Sequence, residues 1–425
     1  MVTSPPLTVL LDGQVVAEVG RTRAGVMRLT FTDPARSAGR TPLSLSLPSA
    51  TGAVTGQKVE WFLQGLLPDS EAARRAIART YGADPNDVLS LLGAVGKDCA
   101  GSVQLCRPDD VEATLGREGD LIPVSTSDIE MRLAGFKTDE DAGWTMPGEH
   151  WSLGGSQQKF ALRRQGETWF EATGSEPTSH IIKPGIYKLT SQALVEHVSM
   201  RAADRCGIST AATEYTSFKS EDAIVITRFD RAPARDGGLR RLHQEDLCQA
   251  LGVSEKSESE GGPGAREIIQ LLRDASSTSS EAQKNVTQFV DGLIYNVVIA
   301  GPDAHARNYA VLLDGDSVQL APLFDVASGL AYTATGRGSH TLSMSIGGVF
   351  DTEQIDTEAW KRFADENALD DAAVVSRVAE VAGLAPEAMG SVLAEVDDWD
   401  GSASQLAARL LPAAQERARS LAAVS

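Results

Sequence analysis

Asp303-Ala304-His305-Ala306-Arg307-Asn308, then the apolar run Tyr309 to Leu313, the pair Asp314-Gly315, a second run Val318 to Leu320 and finally Phe324-Asp325, is the stretch on which the reading of this chain turns. Upstream of it, Val286, Phe289, Val290, Leu293, Ile294, Val297 and Val298 recur at helical spacing between Glu281 and Gly301. That periodicity predicts a buried amphipathic helix, stopped at Gly301-Pro302 just before the Asp303 loop. Downstream, Tyr309 to Leu313 predicts a strand, Asp314-Gly315 a tight turn and Val318 to Leu320 the returning strand. The order is therefore helix, Asp-x4-Asn loop, hairpin, Asp.

Protein kinases use this order to place three oxygen-bearing side chains around one cluster of charge. The first Asp orients the acceptor hydroxyl and takes its proton, the Asn binds one Mg²⁺, and the Asp after the hairpin binds Mg²⁺ bridging the ATP phosphates. Phosphoryl transfer needs mainly positioning and charge neutralisation, and a hairpin is a stiff clamp for both. On this reading Asp303, Asn308 and Asp325 are catalytic, and Asn308 and Asp325 are also the Mg²⁺ ligands. The competing reading makes Asp303 a turn cap, Asn308 a bend residue and Asp325 a turn residue. His305 reads as a hydrogen-bonding member of the loop.

A nucleotide site also needs phosphate contacts. Ser152-Leu153-Gly154-Gly155-Ser156-Gln157-Gln158-Lys159 supplies small residues whose backbone N–H groups can approach phosphates. The run leads into a strand and lacks a GKS or GKT ending, which argues against a Walker A loop. Lys183 ends the strand-like His180-Ile181-Ile182, where an ammonium could meet the α/β phosphates, with Glu196 on the following helix as its candidate partner. A solvated strand end and a solvated helix face are the alternatives for these two. The apolar strand Ala223 to Phe229, which includes Thr227, is the candidate adenine hinge.

The bulk numbers agree with a folded enzyme. The chain has 425 residues, 42% of them hydrophobic, which is enough for two domains or one bilobed domain with a sizeable core. With 39 basic and 58 acidic residues the net charge is −19, so the chain is not an autonomous DNA binder. Cys99, Cys106, Cys206 and Cys248 form no CxxC pair, which argues against zinc and for reduced thiols in a cytoplasm. No leader-like segment opens the chain, and no run of about 18 apolar residues predicts a membrane span.

Elsewhere, Leu7 to Val19 alternates around Asp12-Gly13 as a hairpin, and Gly25 to Thr32 and Leu43 to Leu47 read as strands. Asp69 to Thr80, capped by Asp69 or Ser70, and Asp84 to Leu92 read as helices, and Gly96 to Leu105 returns to the sheet. Arg107 to Asp120 is polar, and a boundary is placed between about 108 and 150. Further on, Phe160 to Arg164, Glu167 to Ala172 and Ser179 to Lys183 read as strands and Ser191 to Cys206 as a helix. From about Gln244 the chain reads as mainly helical, and the acidic, Ser-rich Ser254 to Ala265 as a mobile loop.

Taken in order, Pro42-Leu43-Ser44-Leu45-Ser46-Leu47-Pro48, Leu66-Leu67-Pro68-Asp69-Ser70, the Ser152–Lys159 loop, Ser179-His180-Ile181-Ile182-Lys183, Arg228-Phe229-Asp230-Arg231, the Gln244–Leu251 run, the Asp303–Asn308 loop and Phe324-Asp325-Val326 resemble the HipA family of bacterial toxin kinases over roughly residues 5 to 400. The resemblance implies an α+β, bilobed protein-kinase-like fold. Residues 1–110 would be a β-rich N-terminal subdomain, and residues 150–395 a kinase domain with a mainly helical C-terminal lobe. It implies ATP and Mg²⁺ as cofactors. ATP would be contacted by Lys183, Gly154, Gly155, Ser156, Gln157, Lys159, Thr227, Phe229, His305, Asn308 and Asp325. Ser152 matches the serine that the family autophosphorylates to eject the loop and switch the kinase off; a turn cap is its bland alternative. A dianion there would repel ATP phosphates.

The resemblance further implies a cytoplasmic serine/threonine-protein kinase, a helix-turn-helix antitoxin partner that carries the DNA contact, protein substrates such as an aminoacyl-tRNA synthetase, and growth arrest. Thr227 stands where the family's hinge often has Glu, and Ser156 replaces a common Ala and is a second candidate phosphorylation site. An aminoglycoside-type small-molecule phosphotransferase and a catalytically silent corepressor are the alternatives. The first would transfer phosphoryl to an aminoglycoside without self-labelling. The second would bind ATP without transfer.

Overall fold

Asp12 and Gly13 both have positive φ, 50° and 71°. This is the geometry a two-residue hairpin turn demands, and Asp-Gly adopts it cheaply. In the computed structural model, which describes residues 4–138, 145–235, 237–335, 341–398 and 400–422, this turn joins β1 (Leu7–Leu11) to β2 (Gln14–Arg21) with Leu11 opposite Gln14. With β3 (Met27–Phe31), β4 (Ala53–Thr55) and β5 (Val103–Cys106) they form a sheet of order β4-β3-β2-β1-β5. Helices α1 (Gln57–Gly65), α2 (Glu71–Tyr81) and α3 (Val88–Val95) bring Phe62, Leu63, Ile77 and Leu92 into one core with Leu7, Val9, Val19 and Leu29. The Ser70 side chain accepts from the Ala73 amide and so caps α2.

Leu43 to Leu47 is not a strand. Its alternation is real, since Leu43 and Leu47 are buried, but Pro42 and Pro48 bracket it and its amides bond elsewhere. The Leu45 amide donates to Glu245 Oε1 at 2.8 Å, and Ser46 Oγ donates to the Gln249 carbonyl at 2.6 Å. The Glu245 side chain and the Gln249 carbonyl thus take the place of a neighbouring strand.

Glu245 is fully buried, and burial pushes its carboxyl up to about 8 against the pull of the Leu45 amide. Its folded pKa exceeds the unfolded one, so its contribution to stability is complete below about pH 4.5 and is lost as pH rises through about 8. Glu245→Gln, which keeps the acceptor for Leu45, is expected to raise the melting temperature at pH 8.5 by a few degrees, about 2–4 °C per kcal/mol regained. The gain should vanish at pH 5. Melting curves at the two pH values check this; a gain that is equal at both would contradict it.

The polar stretch Arg107 to Asp120 contains α4 (Val111–Leu115), and the rest of the window given for the boundary contains β6 (Leu121–Val124) and α5 (Thr126–Thr138). Pro123 obscures β6 in the sequence, and it is tolerated because β6 is an edge strand. The sheet it flanks runs β10-β11-β9-β7-β8-β6, with β7 (Phe160–Gln165), β8 (Thr168–Ala172), β9 (His180–Lys183), β10 (Thr213–Phe218) and β11 (Glu221–Thr227). Phe160, Leu162, Ile182 and Val225 pack with Ile129, Leu133 and Phe136 of α5. Between β9 and β10 the chain passes through α6 (Gln192–Arg205). After β11 come the hairpin β12 (Arg231–Pro233) and β13 (Leu239–Arg241), then β14 (His243–Asp246) and α7 (Leu247–Leu251). A strand therefore opens the part read as mainly helical. Asp246 and Gln249 close a capping box at the start of α7.

The chain divides into two units. The first comprises the chain up to Pro184, Thr216–Ser254 and Val311–Val318, and the second Gly185–Tyr215, Glu255–Ala310 and Gln319 onward. The second unit is largely helical: α6, α8 (Ala265–Ala275), α9 (Ser279–Val298), α10 (Thr357–Glu366), α11 (Asp371–Glu395) and α12 (Ser402–Ala422). Inside it, α11 packs on α6, α9 and α12. Tyr295 of α9 donates its buried hydroxyl to the Ser199 carbonyl of α6 at 2.6 Å. The hairpin strands β15 (Ala310–Asp314) and β16 (Ser317–Leu320) follow the Asp303 loop and add to β14, and β17 (Thr341–Ile346) pairs with β18 (Val349–Asp351). The α+β class expected from the sequence is the class found, divided into two units. Among the described residues no helix is long and apolar enough to cross a membrane, and all four cysteines are free and buried.

Candidate active site

In the second unit, α9 begins at Thr278, whose side chain accepts from the Glu281 amide, and it buries Val286, Phe289, Leu293 and Val297 as its spacing requires. The helix ends when the Gly301 amide bonds back to the Asn296 carbonyl at 2.8 Å. A Cβ on Gly301 would lie 2.6 Å from Asn296 Oδ1, so a larger residue there would displace the Asn296 side chain. Asn296 Nδ2 also donates to the hydroxyl of buried Tyr309 at 3.2 Å. One amide therefore ties the helix end to the far side of the Asp303 loop.

Within the loop, Asn308 Nδ2 donates to the Asp303 carbonyl at 2.7 Å and the Asn308 amide donates to the His305 carbonyl at 2.9 Å, around a 3₁₀ turn at Ala306–Asn308. The nitrogen of the Asn308 side chain is thus committed to the loop, which leaves its oxygen as the atom suited to a cation. The Asp303 side chain is 69% exposed, open to a substrate, and lies 3.4 Å from Nε2 of buried His305. The Asp303 carboxyl is pushed up, first by loss of hydration and also by the charge of Asp325, while His305 and Lys256 pull it down. Burial holds His305 below its ordinary value.

Asp325 follows a bridge in which the Ala211 amide donates to the Leu323 carbonyl at 2.8 Å and the Leu323 amide donates to the Ser209 carbonyl at 2.8 Å. Beyond it, Ser328 Oγ donates to the Ile299 carbonyl at the end of α9. Between these anchors Asp325 has φ 58°, a conformation that most side chains avoid and that costs on the order of 1 kcal/mol. Asp303 and Asn308 thus share the closed loop that follows α9, and the charge of Asp325 acts on Asp303. Among the described residues no cluster of three His, Cys, Asp or Glu forms a metal cage by itself. One carboxylate and one amide oxygen, completed by phosphate oxygens and water, are a donor set that suits Mg²⁺, and they are the residues that would hold it.

The first unit holds the Gly-rich loop. Ser152 is buried, its Oγ donates to the Leu66 carbonyl at 2.5 Å, and its amide donates to the Asp98 carbonyl at 3.0 Å. Gly155, with φ 93°, accepts from the Asp69 amide at 3.0 Å. A Cβ on Gly154 would come within 2.9 Å of the Gly65 carbonyl. The Leu66–Asp69 segment therefore seats the loop. Ser156 is exposed, Gln157 is half-buried, and Lys159 Nζ donates to the Gly154 carbonyl at 2.6 Å. Lys159 is thus engaged within its own loop, and that bond would have to give way for it to reach a phosphate.

Lys183 is buried at the end of β9, opposite Ile224. Thr227 is exposed at the end of β11, and Phe229 is half-buried. Glu196, in the second unit, is fully buried on α6, where Gln192 Nε2 donates to it at 3.5 Å.

Two features escaped the sequence reading. Lys256, in the acidic loop expected to be mobile, acts electrostatically on Asp303. The loop itself is held: the Ala306 amide donates to the Lys256 carbonyl, and the Glu258 carboxylate accepts from the Ser345 amide and hydroxyl. The second is a buried charge network. Asp98 accepts from Arg231 and Arg241 at 2.9 Å and from Thr178 at 2.7 Å, while Arg228 donates to Asp230 at 2.8 Å. The alternating charges of Arg228 to Arg231 were its only local sign.

The family described as HipA N-terminal domain matches residues 7–106, and that described as HipA-like C-terminal domain matches residues 151–389, more than half of the chain. This chain belongs to the HipA family. It is 31% identical over 402 residues to a putative kinase, Y4mE, of Sinorhizobium fredii, covering 92% of this chain and 93% of that protein. It is 27% identical over 370 residues to the serine/threonine-protein kinase toxin HipA of Shewanella oneidensis, covering 83% and 81%. The Shewanella oneidensis HipA solved with HipB and operator DNA superposes with a TM-score of 0.80 at 22% identity, covering 99% of this chain and all of that one, and so shares its fold.

Proposed function

We propose that this member of the HipA family is an ATP- and Mg²⁺-dependent serine/threonine-protein kinase toxin. The observation that carries the reading is the closed Asp303–Asn308 loop, with Asp325 near enough to raise the proton affinity of Asp303. Asp303 accepts the proton of the acceptor hydroxyl as its oxygen attacks the γ-phosphorus, and ADP leaves. Lys183 and the amides of Gly154, Gly155 and Ser156 bind the phosphates, with Gln157, Lys159 and His305 as further contacts, while Thr227 and Phe229 flank the base. Asn308 and Asp325 would hold Mg²⁺, which would supply neutralisation of phosphate charge.

The acceptor is a protein hydroxyl, an aminoacyl-tRNA synthetase being the substrate that the family resemblance implies, and its modification arrests growth. The charge of −19 fits a chain that meets DNA only through a basic helix-turn-helix antitoxin. Domains at 1–110 and 150–395 would divide the work, the first seating the Gly-rich loop and the second carrying the chemistry.

Ser152 is the proposed autophosphorylation site. A phosphoryl ester cannot keep the hydroxyl's bond to Leu66, so modification unseats the loop and silences the enzyme. Incubation with radiolabelled ATP tests both claims. The parent is expected to label itself. Ser152→Ala should lose the label yet transfer to an added protein, and Ser152→Asp should bind ATP at least about tenfold more weakly by calorimetry. Absence of any transfer, or rapid transfer to an aminoglycoside without self-label, would overturn the reading.

A further inference from the structure

The segment Glu255–Gly262 sits beside the catalytic loop in the second unit, although its sequence marks it only as acidic and Ser-rich. Its position is set by two anchors. The Ala306 amide, at the centre of the Asp303–Asn308 loop, donates to the Lys256 carbonyl at 3.1 Å. Two residues on, the Glu258 carboxylate takes the amide of Ser345 at 2.6 Å and its hydroxyl at 2.9 Å, on β17. Ser343 of the same strand donates to the Pro302 carbonyl at 2.9 Å, immediately before Asp303. The catalytic loop is thus braced by this turn and by β17, and the one Lys in the turn is bonded through its backbone to the loop.

We propose that Lys256 contacts the transferred phosphoryl group and supplies a standing positive charge at the catalytic loop. This rests on the kinase reading above and adds a residue to it. The bland alternative is a turn residue whose carbonyl matters and whose ammonium is solvated. Two observations favour the sharper role. Glu258, the carboxylate two residues away, is bonded to the Ser345 amide and hydroxyl on β17. The Lys256 charge is felt at both Asp303 and His305. The assisted step breaks the bond from γ-phosphorus to the bridging oxygen, forms a new P–O bond to the acceptor and passes the hydroxyl proton to Asp303. Lys256 changes no bond and acts by placing a compact charge where negative charge moves.

Because the anchor is the Lys256 backbone carbonyl, exchanging the side chain leaves the brace in place. The test uses the full chain with Lys256→Cys, before and after alkylation with 2-bromoethylamine, which rebuilds an ammonium at nearly the original length. All four native cysteines are buried, so the new thiol is the accessible one. Turnover and KM for ATP are read from radiolabel transfer, and folding from the melting temperature. The Cys variant is expected to lose roughly 100-fold in turnover with KM changed less than about threefold, and alkylation to restore turnover to within about tenfold of the parent. Turnover within about threefold of the parent before alkylation, or a loss that the rebuilt ammonium does not repair, overturns the proposal. Should the Cys variant melt early, Lys256→Gln and Lys256→Arg replace it, with loss expected in the first and retention in the second. A parent that transfers no phosphoryl, or an Asp303→Asn variant as active as the parent, removes the kinase reading and this proposal with it. An active parent, an inactive Asp303→Asn and a fully active Lys256→Cys remove this proposal alone.

Discussion

Asp303→Asn is expected to lower phosphoryl transfer by at least about 10³-fold, through loss of the group that positions and deprotonates the acceptor. Stability should barely change. The Asp303 side chain is 69% exposed, and the loop is closed by a bond from Asn308 to the Asp303 carbonyl, which any residue supplies. Replacing the carboxylate by a neutral amide removes both its repulsion with Asp325 and its attraction to His305 and Lys256. The melting temperature should therefore match the parent within about 2 °C, as for surface substitutions. Label transfer and a melting curve on the same preparation decide the matter, and undiminished transfer would refute the assignment.

The largest expected loss of stability belongs to Asp98→Ala. The Asp98 carboxylate is buried and held far below the ordinary range by Arg231, Arg241 and Arg228, against a large cost of burial. Removing it leaves Arg241 without its carboxylate partner and Arg228 and Arg231 sharing Asp230 alone in the interior of the first unit. Breaking one side of a buried ion network typically costs about 3–5 kcal/mol, a large share of the 5–15 kcal/mol by which domains are stable. A fall in melting temperature of about 10 °C is expected. Asp98→Asn should be milder, since it keeps an acceptor for Thr178.

The pH dependence of Asp98 has a definite sign. A depressed carboxyl contributes stability above its unfolded pKa, near 4, and loses it as pH falls through the lower folded value. The parent should therefore lose stability on acidification below about pH 4 more steeply than Asp98→Ala does. Parallel acid slopes would show that Asp98 is not the group involved.

The helix, loop and hairpin around Asp303 were legible because each rests on local rules: a 3.6-residue period, a Gly-Pro stop and an Asp-Gly turn. The hairpin at Asp12-Gly13 was legible for the same reason. Leu43 to Leu47 misled because a two-residue period reports burial on one side, and the partner for its amides is Glu245, 200 residues away. β6 and α5 were hidden by Pro123 and by the absence of a sustained apolar stripe, with Met131 64% exposed in the middle of the helix. Asp98 and Arg228 lie 130 residues apart. No period or spacing in a single sequence joins them, and their buried pairing appears only with the fold. Lys256 carries no signal of its own in the sequence, because an acidic, Ser-rich run reads as solvated, whereas its backbone carbonyl is fastened to Ala306.

The left-handed backbone at Asp325 restricts which descendants of this protein can persist once selection for catalysis is gone. Glycine relieves the torsional cost outright and asparagine tolerates it, while β-branched replacements would deepen it. A silent paralogue should carry Gly or Asn at this position far more often than Val, Ile or Thr, and such a replacement would mark lost chemistry in a chain whose other motifs still look intact.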